Sequence, residues 1–298
     1  MAENTTFVQM ENKQKLTNVL PKESFDNRFD RFIIDATERV GDYIIEDAID
    51  EMDDLGVNAT IFEGEVPSIA EVSYNTRSQH AYVYNIRKDE LKKVANSEDA
   101  LNALKDKINA NLDEQDRKNC YRQFPKILSR NAGMKTTQKV VVADKTDYAS
   151  IILAIKQDIN DLREPTDLFT EYTKVTGSGS KQVTHTLKSF SKRPIVFIRE
   201  DLYNELMVKY ASGVYNLDKI SLDADIVLVR EFYKDDLSAV DPNKLWITAG
   251  EGYVKIYKDF ENRTNFEDLR STRVGKAVDY IEYTSKLVPA KLHYVAAQ

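Results

Sequence analysis

The stretch "EVSYNTRSQHAYVYNIRKDEL", Glu71 to Leu91, alternates apolar and polar residues, breaks on polar ones and alternates again. Val72, Tyr74 and Thr76 share one parity before the break, and Tyr82, Tyr84 and Ile86 share one after it. Between them, "RSQH" (77–80) holds nothing apolar. Alternation on both sides of a polar break predicts a two-stranded β-ribbon. A lone ribbon is marginal in water unless something covers a face. What covers this one decides the surrounding architecture.

Upstream, residues 1–27 are polar and irregular and read as an arm. From Arg28 to Leu55, the spacing of Phe32, Ala36, Val40, Tyr43, Ala48 and Met52 predicts a helix interrupted at Gly41 and ended by Gly56. This segment is acidic. Residues 1–60 carry a net charge of −8 and the remaining 238 a net of +1, which together give the chain's −7. Such a run is usually a solvated face, and its sharper reading is an arm that meets a basic neighbour. It is the wrong balance for tight nucleic-acid binding.

Downstream, Ser97 with Glu98 and Asp99 reads as a helix start. Ala100, Leu101, Leu104, Ile108 and Leu112 form one stripe, and a second helix is expected over Tyr121, Phe124, Ile127 and Leu128, with Pro125 as a kink or restart. "KVVVA" (139–143) reads as a buried strand and 147–165 as an amphipathic helix with Ile151, Ile152, Ile155, Ile159 and Leu162 on one face. The Gly/Ser-rich stretch 175–185 reads as a flexible loop. A strand at 193–200, a helix at 201–211 and a strand at 224–232 follow. Two strands then turn around Gly250 and Gly252 (244–260), and a long terminal strand (277–295) is bent at Pro289. The order is α+β, not the regular alternation of a doubly wound sheet.

Composition points the same way. The 298 residues are 42% apolar and 31% charged, which fits a soluble globular class. The opening residues lack a signal-peptide core, and no apolar run reaches membrane-spanning length. Cys120, the single cysteine, rules out an internal disulfide and a cysteine metal cluster. With Arg117, Lys118 and Arg122 nearby it reads as a packed helix cysteine without a histidine partner. His80, His185 and His293 stand apart from one another, the first two in expected polar loops. "GSGS" (177–180) lacks the Lys-Ser/Thr of a phosphate loop. These absences give no nominee for a catalytic, cofactor or metal site. Sixteen tyrosines suit contact surfaces.

Three stretches carry a resemblance. "VPSIAEVSYNTRSQHAYVYNIRKDELKKVANSEDALNALKDKINANLDEQDRKNCYRQFPKIL" (66–128) resembles an extended loop running into a spine helix. "RPIVFIREDLYNELMVKYASGVYNLDKISLDADIVLVREFYKDD" (193–236) resembles an axial-domain strand–helix–strand. "LWITAGEGYVKIYKDFENRTNFEDLRSTRVGKAVDYIEYTSKLVPAKLHYV" (245–295) resembles the closing strands of a peripheral domain. Together they resemble the major capsid protein of tailed bacteriophages, a fold that recurs in encapsulins and the herpesvirus capsid floor.

The resemblance implies five parts: an N-terminal arm with the acidic helix (1–58), an extended β-ribbon loop (59–92), a spine helix of the peripheral domain (93–138), an axial domain (139–243) and closing β-strands of the peripheral domain (244–298). It implies an icosahedral shell around phage DNA, made in the host bacterial cytoplasm. The partners would be copies of the chain in pentamers and hexamers, scaffolding and portal proteins, and weakly held DNA, with no membrane and no cofactor. In that family the extended loop lies across a neighbouring subunit. The ribbon's cover would then be another chain, touched by Tyr74, Arg77, His80, Tyr82, Tyr84 and Lys88. The alternatives are an encapsulin-like compartment or another virion structural or adaptor protein.

Overall fold

The computed structural model describes residues 27–37, 43–49, 69–87, 98–176, 183–211, 223–267 and 271–296. Four strands form one sheet in the order β1 (Ile33–Asp35), β11 (Val254–Glu267), β12 (Ser271–Thr284) and β4 (Arg77–Arg87). Five form another, in the order β5 (Lys139–Val142), β13 (Ala290–Val295), β10 (Lys244–Ala249), β8 (Ile195–Arg199) and β9 (Asp225–Val229). Two antiparallel pairs complete the strands among the described residues: β2 (Ile44–Ile49) with β3 (Ile69–Tyr74), and β6 (Thr173–Thr176) with β7 (Val183–Thr186). The α-helices among the described residues are α1 (Glu98–Leu128), α2 (Tyr148–Asp161) and α3 (Glu200–Leu206). The α+β class holds.

The central strands β8 and β10 of the five-stranded sheet are buried on both faces. Ile195, Phe197, Ile247 and Ala249 point into the main core with Phe124, Ile127 and Leu128 of α1. Val196, Ile198, Leu245 and Trp246 point the other way, onto Ile151, Ile152, Ile155 and Ile159 of α2. Burial on both sides explains why these strands read as continuous apolar runs. Helix α2 begins where Asp147 caps the Ser150 N–H, at 3.2 Å.

Several expectations are corrected. The segment 28–55 is not helical where described. Asp30–Phe32 is a single 3₁₀ turn, followed by β1, which pairs parallel with β11, and then by β2. Its β-branched pairs Ile33-Ile34 and Ile44-Ile45 favour strands, and Phe29 stacks on Phe124 at 4.0 Å. The two expected helices over 97–128 are one. Pro125 lies in the last turn, where Ser129 N–H and Oγ both donate to its carbonyl. The buried neighbours Phe124, Ile127 and Leu128 hold that turn in place.

Strand β5 is an edge strand with Val141 exposed, not a buried one. The ends of the 175–185 stretch pair as β6 and β7, so His185 lies on a strand. The terminal strand is two, β12 and β13, in different sheets. The strands around Gly250 and Gly252 also part: β10 joins the five-stranded sheet and β11 the four-stranded one. Gly252 has φ +85°, and a Cβ on Gly250 would meet Val288 Cγ1 at 2.7 Å, so this sharp change of sheet needs both glycines.

One buried polar cluster fixes α2 to its sheet. Asp158 Oδ2 accepts from Trp246 Nε1 and Thr248 Oγ1, each at 3.2 Å, and Oδ1 pairs with Lys291 Nζ at 2.8 Å. His293 stacks on Trp246 at 4.2 Å, with Nε2 2.8 Å from Asp158 Oδ2. Burial pushes the Asp158 carboxyl up, and His293 and Lys291 outweigh it, so it sits below the usual range. A depressed carboxyl contributes stability that is present above its unfolded value and is lost as pH falls through its folded value. Urea unfolding of the wild type is therefore expected to weaken below about pH 4, and Asp158→Asn to flatten that dependence. Asp158→Ala, which leaves Lys291 with Asp161 alone, is expected to cost about 3 kcal/mol at neutral pH.

Candidate inter-subunit surface

The ribbon read at 71–91 exists as strands with other partners. β3 pairs with β2, from Ile44↔Tyr74 to Ile49↔Ile69, and β4 pairs with β12, from Arg77↔Ile281 to Arg87↔Ser271. Only Asn75 and Thr76 separate β3 from β4, and the Thr76 carbonyl accepts from Glu282 N–H at 3.0 Å, which brings the chain onto β12. "RSQH" is thus the start of a strand and not a turn. Each polar side chain finds a neighbour. Ser78 Oγ and His80 Nε2 are 2.6 Å apart, Arg77 pairs with Asp259 at 3.3 Å, and Gln79 donates to Asp279 at 3.3 Å.

The parity read from the sequence is correct, and much of the cover comes from this chain. Tyr74 is buried and stacks on Tyr283 at 3.8 Å, and its hydroxyl accepts from Lys286 N–H at 2.8 Å. Burial raises its pKa to about 12. Tyr82 and Ile86 pack with Leu104, Ile108 and Leu112 of α1 and with Val274 of β12. His80 is half-buried beside Tyr280, and desolvation lowers its pKa; it is not the solvated loop imidazole expected. Tyr84 keeps 37% of its surface exposed. Lys88 lies outside the described residues.

Beneath β4, an ionic cluster clamps α1 to β12. Lys276 is buried between Asp113 and Asp116, 2.9 Å from each, and Tyr280 Oη donates to Asp116 Oδ2 at 2.8 Å. Burial lowers the Lys276 pKa and the two carboxylates more than restore it, so the ammonium is held above its usual range. Arg263 reaches Asp113 at 2.7 Å. Cys120 is buried beside this cluster, and burial pushes its thiol up to about 12, which bears out a packed helix cysteine.

On the β2–β3 hairpin, Ala48, Ala70, Val72 and Tyr74 face inward onto Leu187, Leu287 and Tyr283. Glu46 is held by Lys255 at 2.6 Å, Tyr283 at 3.1 Å and Ser285 at 2.6 Å. Ile45 and Ile69 stay exposed, as do Tyr43 beside β2 and Val83, Phe260 and Phe266 on the four-stranded sheet. The sequence reading missed these six. The signal was present in "AYVY" (81–84), which is apolar at both parities and therefore implies two faces to cover.

The fold is that of a phage capsid shell subunit. A chain of the Staphylococcus phage Andhra capsid superposes with a TM-score of 0.69 at 10% identity, over 94% of this chain and 87% of that one. A chain from the structure of head fiber and inner core protein gp22 of native bacteriophage P68 gives 0.67 at 11% identity, over 93% and 87%. The capsid of Cyanophage P-SCSP1u gives 0.59 at 11%, over 94% and 91%. No curated protein matches the chain in sequence. Residues 12–271 match the family described as Phi29-like phage major capsid protein, and the chain belongs to that family. It is a structural protein of the phage capsid shell, which is not an enzyme class. Among the described residues, no helix is long and apolar enough to cross a membrane.

The two tyrosines of the ribbon separate experimentally. Tyr74→Ala removes a buried stacked ring and is expected to cost about 3 kcal/mol of subunit stability in urea unfolding. Tyr84→Ala is expected to change it by no more than about 0.5 kcal/mol.

Proposed function

We propose that this chain builds an icosahedral shell around phage DNA from pentamers and hexamers of itself, with the β2–β3 hairpin as the extended loop that meets a neighbouring subunit. The observation that carries this reading is the hairpin's two-sidedness. One side is anchored in its own chain through Tyr74, Val72 and Glu46, and the other leaves Ile45 and Ile69 bare. Apolar side chains kept on the outer side of an anchored ribbon suit a contact between copies.

The expected contact set narrows accordingly. Tyr74 and Tyr82 serve the subunit's own packing, and Arg77 and His80 hold β4 in place. Tyr84 and, from sequence, Lys88 remain as contacts. The parts regroup as well. The four-stranded sheet with α1 forms the peripheral domain, and the five-stranded sheet with α2 and α3 forms the axial domain. The final segment from 244 then contributes strands to both. A scaffolding protein and a portal are the expected partners, and assembly takes place in the host bacterial cytoplasm. Contact with DNA is weak and sequence-independent, in keeping with a net charge of only +1 outside residues 1–60.

Negative-stain electron microscopy of the protein expressed alone, and with its neighbouring genes, tests this. Polyhedral shells, tubes or capsomer rings are expected. The Ile45→Glu, Ile69→Glu double variant should keep its circular dichroism spectrum and lose closed particles. Wild-type particle yield from that variant would remove the hairpin from the contact.

A further inference from the structure

The strands β11, β12 and β4 carry apolar residues on both faces. Their register defines four rows on the face away from α1: Phe260–Asp279–Gln79, Asn262–Ala277–Ala81, Thr264–Gly275–Val83 and Phe266–Arg273–Asn85. Residues directly opposite each other in paired strands project to the same side, so these rows share one surface. The alternate rows hold Lys276, Tyr82, Val274 and Ile86, which α1 covers. The outer rows have no such cover among the described residues: Val83 is 67% exposed, Phe266 60% and Phe260 46%. At the centre, Gly275 leaves the face low. A Cβ there would come within 3.0 Å of Thr264 Oγ1 and 3.3 Å of the Tyr82 carbonyl. Beside it, β4 is the last strand of its sheet among the described residues.

Resting on the shell reading above, we infer that this outer face is a contact surface for a second copy of the chain, packed sheet on sheet over Ala81, Val83, Phe260, Phe266 and Ala277. The polar residues say why the occupant is a copy. Asp279 and Gln79 stand at one end of the face, and Arg273 and Asn85 at the other. The six-residue separation of Arg273 and Asp279 spans about 20 Å along an extended strand. A copy laid antiparallel brings its Asp279 over Arg273 and its Arg273 over Asp279, so the surface is complementary to itself about a two-fold axis. An apolar centre between polar ends is also the ordinary anatomy of a protein contact. Face-to-face sheets pack about 10 Å apart, which suits side chains of this size meeting over a central glycine.

Charge reversal with rescue tests the inference. Arg273→Asp and Asp279→Arg are each expected to lower particle yield by about tenfold, since each sets like charges together across the contact. The double variant R273D/D279R should recover the yield. Circular dichroism on all three separates assembly from folding. Normal yield from both single variants, or no recovery in the double, overturns the inference.

A second readout uses the burial of the single native cysteine, Cys120. Val83→Cys is expected to react with a maleimide about tenfold more slowly in particles than in dissociated subunits, while Leu153→Cys on α2 serves as the exposed control. Particles of the V83C variant that react at the free rate sink this surface and leave the shell reading intact. Were no particles to form, the shell reading would fall by itself. The face would then be judged by sedimentation of the soluble subunit, where a monomer at every concentration overturns it and a dimer abolished by R273D supports it.

Discussion

The pairing of β11 with β12 is the constraint on which the rest depends. It runs from Val254↔Thr284 to Glu267↔Thr272, with one irregularity between Lys258 and Phe260. Strand β12 then serves three separate cores. Val278 and Tyr280 enter the main one, Ile281 and Tyr283 receive Tyr74, and Val274 lies under α1. A strand with neighbours on both edges cannot slip by one residue without turning all these side chains to the wrong face. Lys276 reinforces the register, because a buried ammonium between Asp113 and Asp116 can be satisfied in only one alignment of α1 on the sheet. The β2–β3 hairpin, α1 and the outer face all inherit their positions from this strand.

What the sequence revealed follows the range of the interactions. Helix α2 was legible because its apolar period and its capping Asp147 lie within one window. Strands β8 and β9 were legible because two-sided burial leaves an apolar run that nothing else explains. The parity of Tyr74 and Tyr82 was also legible, since alternation is local. Their partners were not. Tyr84 lies opposite Val274 and Ile33 opposite Ile256, across some two hundred residues, and no local pattern encodes such pairings. The polar "RSQH" misled for the same reason. It lies in a strand because Asp259 and Asp279 arrive from far along the chain to partner it.

The segment before β2 illustrates competition between periods. Phe29, Phe32 and Ala36 are spaced as a helix would space them and all three are buried. They reach their pockets by a short 3₁₀ turn and a three-residue strand instead. Phe29 enters between Tyr121 and Phe124, and Phe32 approaches Phe197 at 5.8 Å, so this strap ties α1 to the five-stranded sheet. Arg28 with Glu200 and Arg31 with Asp225 hold its outer side. Exposed pairs of this kind add little by themselves, and the burial of two phenylalanines does most of the fastening.

The distribution of what is left bare bears on assembly. The subunit pairs the buried charges of Asp158, Lys276 and Lys244 within its own chain. The exposed apolar residues are spread over several elements, with Ile45 and Ile69 on the hairpin, Val83, Phe260 and Phe266 on the four-stranded sheet, and Val141, Leu153 and Val208 elsewhere. A single extensive patch would drive early, indiscriminate association. Several modest surfaces bind weakly one at a time and strongly when a closed lattice engages them together, because each further contact is made at the high effective concentration set by those already formed. A shell built this way can correct a misplaced subunit while it grows and still hold firmly once it closes.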